Sequence, residues 1–206
     1  MKRSTQRSRV PASKPPKGEK PDLTGFHITG NGENPKILFV VDPIILDFVS
    51  NPTGALTGPQ QTYLARYVDH FLEMKDVAFL TAAPPVPKHV VDRDSAMKKH
   101  LKEYRERFEA ICKYLQPDLI VSMGKNGSSQ VLGHSVKITR ARGVALKDTD
   151  WKVPVLPVFG IGHVMRYPEN LEMFKADMQT LERIVKDDFK VQYKEKLKTD
   201  YKFVTD

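Results

Sequence analysis

Residues able to do chemistry follow the apolar segments of this sequence. Asp42 comes directly after the apolar run at residues 36–41, and His163 follows another apolar run within GIGHVMRYP. A carboxylate in such a position can activate a water molecule or stabilise a cation, and a histidine can transfer a proton. Two plainer interpretations stay open: an aspartate that closes a turn at a strand end, and a surface histidine.

A second chemical feature is the segment MGKNGSSQVLG at residues 123–133. Its glycines, its serines and the start of a helix offer backbone N–H groups to an anion, and a lysine adds positive charge. The spacing differs from that of a nucleotide triphosphate loop, which argues against such a site. The residues expected to contact phosphates here are Lys125, Asn126, Ser128 and Ser129.

Alternating apolar runs and amphipathic stretches predict the elements that position these residues. The predicted strands are 36–41, 76–82, 118–124 and 153–159, and the predicted helices are 60–74, 94–115, 126–132 and 168–188. Strands that alternate with helices predict an α/β fold, a three-layer α/β/α sandwich with a short, mainly parallel four-stranded central sheet. Ligands in such folds bind at the carboxyl ends of the strands. The loops after residues 41, 80, 123 and 159 should therefore converge.

Positive charge is concentrated at the N-terminus. Residues 1–22 hold seven basic residues against two acidic ones, and so account for +5 of the net charge of +8. Few large apolar side chains occur there, which predicts a basic disordered arm over 1–23. The folded domain is expected at 24–189, with a charged tail or a linker to a following domain at 190–206. Such an arm favours a polyanion partner, although a solubilising tail has the same composition.

Several classes of protein are disfavoured by composition. No apolar run approaches the roughly 20 residues that cross a bilayer, and the N-terminus lacks the apolar core of a signal peptide. We therefore expect a cytoplasmic location and no membrane partner. The single cysteine, Cys112, excludes an internal disulfide and a multi-cysteine metal or iron–sulfur site. No metal and no cofactor are expected.

Six segments, taken in order over residues 36–185, resemble the uracil-DNA glycosylase superfamily, especially its iron–sulfur branch and related bacteriophage domains. VVDPI resembles the motif in which a strand ends in an acidic residue and a proline, and GALTG resembles the Gly-Xaa-Pro-Phe-Val-Gly segment. LTAAPP lies where the family has a Thr-Asn strand end and a Pro-Pro turn. CKYLQPDLIVSMGKNGSSQVLG resembles the run from Pro-Tyr-Leu to Leu-Leu-Gly, and ITRARG resembles the segment that ends in Arg-Gly. LPVFGIGHVMRYP resembles the His-Pro motif with its downstream Arg and Pro.

The resemblance implies a pocket for a base that is taken out of the DNA stack. Asp42 and Pro43 match the acidic–proline pair, whose carboxylate orients water in the family. Phe48 is the candidate ring that stacks on the base, with core packing as the alternative. Thr81 falls where the family has the asparagine that reads uracil, and a threonine cannot make its bidentate contact.

The resemblance also implies that the loop after residue 159 has lost its catalytic side chain. The family's catalytic histidine aligns with Gly160, which has no side chain to stabilise a leaving uracil anion, while Arg166 stays in register. Loss of one such donor costs on the order of 10²- to 10³-fold in rate. His163 lies three positions later, as a substitute acid or as a surface histidine that faces DNA or a partner. The cysteines of the iron–sulfur branch are absent.

We therefore expect a DNA-binding module of uracil-DNA glycosylase fold that lacks effective uracil excision. The end YKFVTD resembles the start of the exonuclease domain in phage polymerases of the bacterial pol-I type, so the expected setting is phage DNA replication, beside a polymerase, in the host cytoplasm or nucleoid. One alternative is an active glycosylase for uracil or another deaminated base, and another is a protein adaptor or processivity factor. The expected DNA contacts are Lys2, Arg3, Arg7 and Arg9 in the arm, and Lys125, Asn126, Ser128, Ser129, Arg140, Arg142 and Arg166 in the loops.

Overall fold

Five strands form one sheet at the centre of the protein, for which a computed structural model describes residue 14 and residues 16–48, 52–146 and 149–191. The strand order is β1–β3–β2–β4–β5. The strands are β1 (Ile28–Gly30), β2 (Ile37–Val41), β3 (Val77–Thr81), β4 (Leu119–Met123) and β5 (Val155–Val158). All pairs are parallel except β1 with β3, which is antiparallel. The predicted α/β class is confirmed.

The sheet has five strands where the sequence predicts four. The additional strand, β1, has only three residues, and none of them is buried. Three residues are too few to show the alternation of apolar and polar side chains that predicts a strand. The pairing of β1 with β3 therefore depends on tertiary contacts. The four predicted strands correspond to β2 to β5, which are buried throughout their length.

Eight helices surround the sheet in the described part of the chain. They are α1 (Gly58–Val68), α2 (Lys88–Val91), α3 (Asp94–Glu103), α4 (Arg105–Leu115), α5 (Gly124–Leu132), α6 (Ile138–Ala141), α7 (Ile161–Arg166) and α8 (Leu171–Lys186). The single helix predicted over 94–115 is wrong, because the backbone of Tyr104 (φ −99°, ψ 7°) divides it into α3 and α4. The segment that contains His163 is also a short helix, α7, rather than a loop.

Side chains alternate between two hydrophobic layers on the two faces of the sheet. Phe39 and Val121 pack with α1, α7 and α8 on one face. Leu38 and Ile120 pack with α3, α4 and α5 on the other face. This distribution gives the three layers predicted from the sequence, with the carboxyl ends of the parallel strands left open at one edge.

Part of the predicted N-terminal arm lies on the folded domain. Lys14 pairs with Asp118 at 3.1 Å, and the Lys17 ammonium lies 4.4 Å from the ring centre of Tyr114. The structure therefore places Lys14 and Lys17, from the predicted disordered arm, against the folded domain. Residues 1–13, with the four basic residues expected to meet DNA, lie outside the described residues, as do 192–206 of the predicted tail. None of the described helices is both long and apolar enough to span a membrane.

Candidate functional site

A cleft of about 650 Å³ opens at the carboxyl ends of the parallel strands. Asp42 after β2, Met123 at the end of β4 and Gly160 after β5 line it together. Its walls come from the segment after β2, the start of α1 and α7. Three of the four loops expected to converge therefore do so. The segment directly after β3 instead packs into the core, where Ala82 and Ala83 are fully buried.

Asp42 is held by the first turn of α5. Its carboxylate oxygen Oδ1 accepts a hydrogen bond from the backbone N–H of Gly127 at 3.1 Å. The backbone and side chain of Asn126 also hydrogen-bond to the carboxylate. A carboxylate in this position satisfies N–H groups that have no partner inside the helix and interacts favourably with the helix dipole.

Burial raises the pKa of Asp42 from 3.8 to about 6, against the opposing effect of its hydrogen bonds to Gly127 and Asn126. Protein atoms surround the carboxyl group densely, yet by surface area the residue is exposed to the open cleft. The exposure carries more weight for its charge state, because water in an open cleft screens the charge. Asp42 is then a carboxylate at neutral pH, in a position to accept a proton or a hydrogen bond.

Three glycines allow the close packing around this carboxylate. Gly124 has a positive φ of +75°, and a Cβ atom there would lie 2.9 Å from Asp42 Oδ2. A Cβ at Gly127 would lie 2.7 Å from the carbonyl oxygen of Val40. A Cβ at Gly160 would lie 3.6 Å from Asp42 Oδ2 and 3.3 Å from the Cα of Gly124. Gly160 therefore lies beside the carboxylate and adds no functional group to it.

The anion site predicted at the start of α5 is already occupied by Asp42, because two of its N–H groups bind that carboxylate. Lys125 is paired with Asp94 at 2.7 Å. Ser128 is fully buried, and its hydroxyl lies 3.0 Å from that of Ser122. In the structure these groups have partners within the protein, and their contact with phosphates stays a prediction.

Ser129 and Thr81 are two further predicted site residues whose hydroxyl groups serve the fold. The Ser129 hydroxyl accepts a hydrogen bond from the backbone N–H of Val136 at 3.2 Å. Thr81 is fully buried, and its hydroxyl accepts a hydrogen bond from the backbone N–H of His27 at 3.1 Å. Thr81 does not line the cleft. The structure therefore places Thr81, predicted to belong to a base pocket, in the core beneath the sheet edge.

Pro43, Phe48 and Gly160 line the cleft. Phe48 is 66% exposed, so core packing, the alternative considered from the sequence, does not account for its ring. A large exposed aromatic ring on the wall of a cleft is available to contact a ligand.

His163 lines the same cleft but is held in a stack of rings. Its ring centre lies 5.4 Å from that of Phe159, nearly parallel, and 4.8 Å from that of Tyr167. Its Nε2 atom lies 3.3 Å from the side-chain nitrogen of Asn170. These contacts hold the ring between Phe159, which precedes α7, and Tyr167, which follows it.

The three arginines predicted to contact DNA have different environments. Arg166 is exposed, lines the cleft and has no ion pair with any described residue, and Arg140 is also exposed. Arg142 instead donates to both carboxylate oxygens of the buried Asp177, at 3.0 and 2.7 Å, and to the carbonyl oxygen of Met173. The guanidinium of Arg142 therefore supports the fold.

Sequence reasoning missed two residues that shape the cleft region. Gln60 lines the cleft, and its side chain accepts a hydrogen bond from the backbone N–H of Thr57 at 3.0 Å, in a capping box at the start of α1. The pattern of Thr57, a proline and Gln60 was a visible signal for this. Asp177 appears in the sequence as an ordinary helix residue, and only its contact with Arg142 reveals its role.

No protein-family model matches this chain, and no curated protein matches it. Within the described ranges no group of three or more His, Cys, Asp or Glu side chains is placed to hold a metal ion. The class defined here is an α/β protein with a cleft at the carboxyl edge of its sheet and a carboxylate on the floor of that cleft.

Proposed function

We propose that this protein is a DNA-binding module of uracil-DNA glycosylase fold that admits a base to its cleft without excising uracil effectively. The observation that carries the proposal is the arrangement of the cleft, with Asp42 on its floor and Gly160 beside the carboxylate. The six sequence segments that resemble that family, in the same order, also support the proposal. An association with a phage polymerase rests on the sequence resemblance alone.

The size and lining of the cleft suit a nucleobase. Its volume of about 650 Å³ lies within the range of small-molecule pockets, about 300–1,000 Å³. Phe48, Pro43 and Ile44 supply apolar surface, and Asp42 supplies a hydrogen-bond acceptor at the floor. Such a pocket can bind a nucleobase, a flat ring with polar edges, that has been flipped out of the DNA helix.

The groups that uracil excision requires are missing from the positions where the family has them. At Gly160 no side chain projects toward the cleft beside Asp42, so no imidazole is there to stabilise a leaving base. The hydroxyl of Thr81 is bound to the backbone of His27, away from the cleft. We expect a loss of roughly 10²- to 10³-fold in rate from the missing donor alone.

Two exposed arginines support binding to a phosphate backbone. Arg166 lies on the cleft, and Arg140 is exposed. Binding that depends on such contacts weakens as salt is added, because counterions compete for the phosphates. Affinity for a labelled oligonucleotide, measured by fluorescence anisotropy, should fall steeply between low and physiological salt. An affinity that does not change with salt would contradict the electrostatic account.

Excision is tested on duplex and single-stranded oligonucleotides that contain one uracil. We expect binding by anisotropy but no strand cleavage after alkali treatment, with an authentic uracil-DNA glycosylase as the positive control. Robust cleavage by the wild-type chain would overturn the proposal. Binding to no oligonucleotide at any salt concentration, together with one stable complex with a replication protein, would support a protein adaptor instead.

A second candidate, an active glycosylase, is favoured by the setting of Asp42. Its carboxylate is oriented by Asn126 and Gly127 and is ionised at neutral pH, as a group that activates water must be. His163 lies on the same cleft as a group able to assist departure of the base. Cleavage at uracil or hypoxanthine that is abolished by Asp42→Asn or His163→Ala would establish this function.

A further inference from the structure

A column of rings in contact, with a guanidinium at its base, runs from the protein interior to the rim of the cleft. The Arg142 guanidinium lies 5.1 Å from the ring centre of Phe159, on which the ring of His163 stacks at 5.4 Å and 24°. Tyr167 contacts His163 in turn, with ring centres 4.8 Å apart and planes tilted by 45°. Each member supports the next, so the outer rings are held in place before any ligand binds.

The inner end of the column is anchored by a buried ion pair. Asp177 has no exposed surface, binds the Arg142 guanidinium, and accepts a hydrogen bond from the backbone N–H of Phe159 at 3.4 Å. A buried charge with several partners has few alternative positions. The base of the column is therefore rigid, and a ligand that stacks on its outer end loses little binding energy to ordering the protein.

The outer end of the column is exposed to solvent. Tyr167 is 42% exposed, and His163 is exposed and lines the cleft. Arg166, between them in the chain, lies on the cleft without an ion partner among the described residues. Exposed rings beside a free guanidinium are what proteins use to stack unpaired bases while neutralising the phosphates that join them.

We propose that His163 and Tyr167 form a stacking platform for an unpaired base of single-stranded nucleic acid at the rim of the cleft, with Arg166 contacting an adjoining phosphate. This inference rests on the proposed DNA-binding function. It gives His163 a role in binding rather than in proton transfer. It also predicts a preference for single strands, because the bases of an intact duplex are already stacked on one another.

The test compares three chains on two oligonucleotides at one fixed salt concentration. The chains are the wild type, Tyr167→Ala and Tyr167→Phe, and the oligonucleotides are a single strand with bases and one of equal length in which the central nucleotides are abasic. Tyr167→Ala should bind the strand with bases roughly 5- to 150-fold more weakly, in line with the effect of removing one stacked ring. Tyr167→Phe keeps an aromatic face and should bind like the wild type. On the abasic strand all three should bind alike.

A matched control is Met173→Ala, which removes another exposed apolar side chain, 46% exposed, outside the ring column. It should leave both affinities unchanged. If the wild type binds DNA but Tyr167→Ala has no effect, or has the same effect on the abasic strand, the platform is refuted and the proposed function stands. If the wild type binds no DNA, the proposed function itself fails. Thermal unfolding of each variant checks that the fold is intact.

Discussion

The carboxylate of Asp42 accepts a hydrogen bond from the backbone N–H of Gly127 at 3.1 Å, which joins the end of β2 to the first turn of α5. This contact explains why a glycine-rich helix start can be present without an open anion site. The protein supplies its own anion to the N–H groups. It also fixes the direction of the Asp42 carboxylate, which faces the cleft as a hydrogen-bond acceptor.

Replacing Asp42 with asparagine should remove the pH dependence of stability that this group creates. Its pKa is raised in the folded protein, from 3.8 to about 6, so the folded state holds a proton that the unfolded chain releases. Stability contributed by the protonated group is therefore full below pH 3.8 and is lost as the pH rises to about 6. The asparagine side chain would still accept the Gly127 hydrogen bond, without a charge. We expect the Asp42→Asn variant to match or exceed the wild type in stability at pH 7.5.

The measurement is urea unfolding of both chains at a series of pH values from 4 to 8. As the pH rises toward 7, the free energy of unfolding of the asparagine variant should increase relative to that of the wild type. A wild type that gains stability relative to the variant over the same range would contradict the raised pKa. An NMR titration of the Asp42 carboxyl carbon gives an independent midpoint, expected above 3.8 and no higher than about 6, because the open cleft reduces the effect of burial.

Gly124→Ala should destabilise the protein and disturb the cleft floor. The residue has φ +75°, a conformation that costs a non-glycine residue about 1–2 kcal/mol. The new methyl group would also lie 2.9 Å from Asp42 Oδ2, so the carboxylate must move. Gly58→Ala is the matched control, because nothing lies within 4 Å of its added Cβ. Urea unfolding should separate the two variants by at least about 1 kcal/mol, and equal midpoints would contradict the argument.

The sheet and its open edge could be predicted because they depend on local pattern. Four apolar runs gave the four parallel strands, and their carboxyl ends gave the position of the cleft. The roles of polar side chains could not be predicted in the same way. Lys125 and Arg142 both appeared free in the sequence, yet their partners, Asp94 and Asp177, lie 31 and 35 positions away in the chain. Such pairs depend on packing between elements.

Cys112 should be inert in the folded protein. It lies on α4 with 2% of its surface exposed, and burial raises the pKa of its thiol far above neutral pH. A thiol reagent reacts with the thiolate, so neither access nor ionisation favours reaction. Labelling with a chromogenic disulfide reagent should proceed only after denaturant is added. Stoichiometric labelling of the native protein within minutes would show that α4 opens far more readily than its buried contacts indicate.

Arg142→Ala should destabilise the protein, whereas Arg140→Ala should not. Both residues were predicted from the sequence to contact DNA, but Arg142 binds the buried Asp177 while Arg140 is exposed. Removing Arg142 leaves Asp177 buried without its charged partner, and the loss of one member of such a pair costs about 3–5 kcal/mol. We expect a loss near the lower value, because the Arg142 side chain itself is 17% exposed.

The double variant Arg142→Met with Asp177→Leu tests whether the loss of stability comes from the unpaired charge or from any change of side chain at this site. Removing both charges together should recover part of the stability lost by removing only the arginine, because no buried charge is then left unpaired, although the Phe159 N–H loses its acceptor. Urea unfolding gives the three free energies. If Arg142→Ala unfolds like the wild type but binds DNA more weakly, then the guanidinium acts at the surface and the column of rings that it supports is not anchored by Asp177.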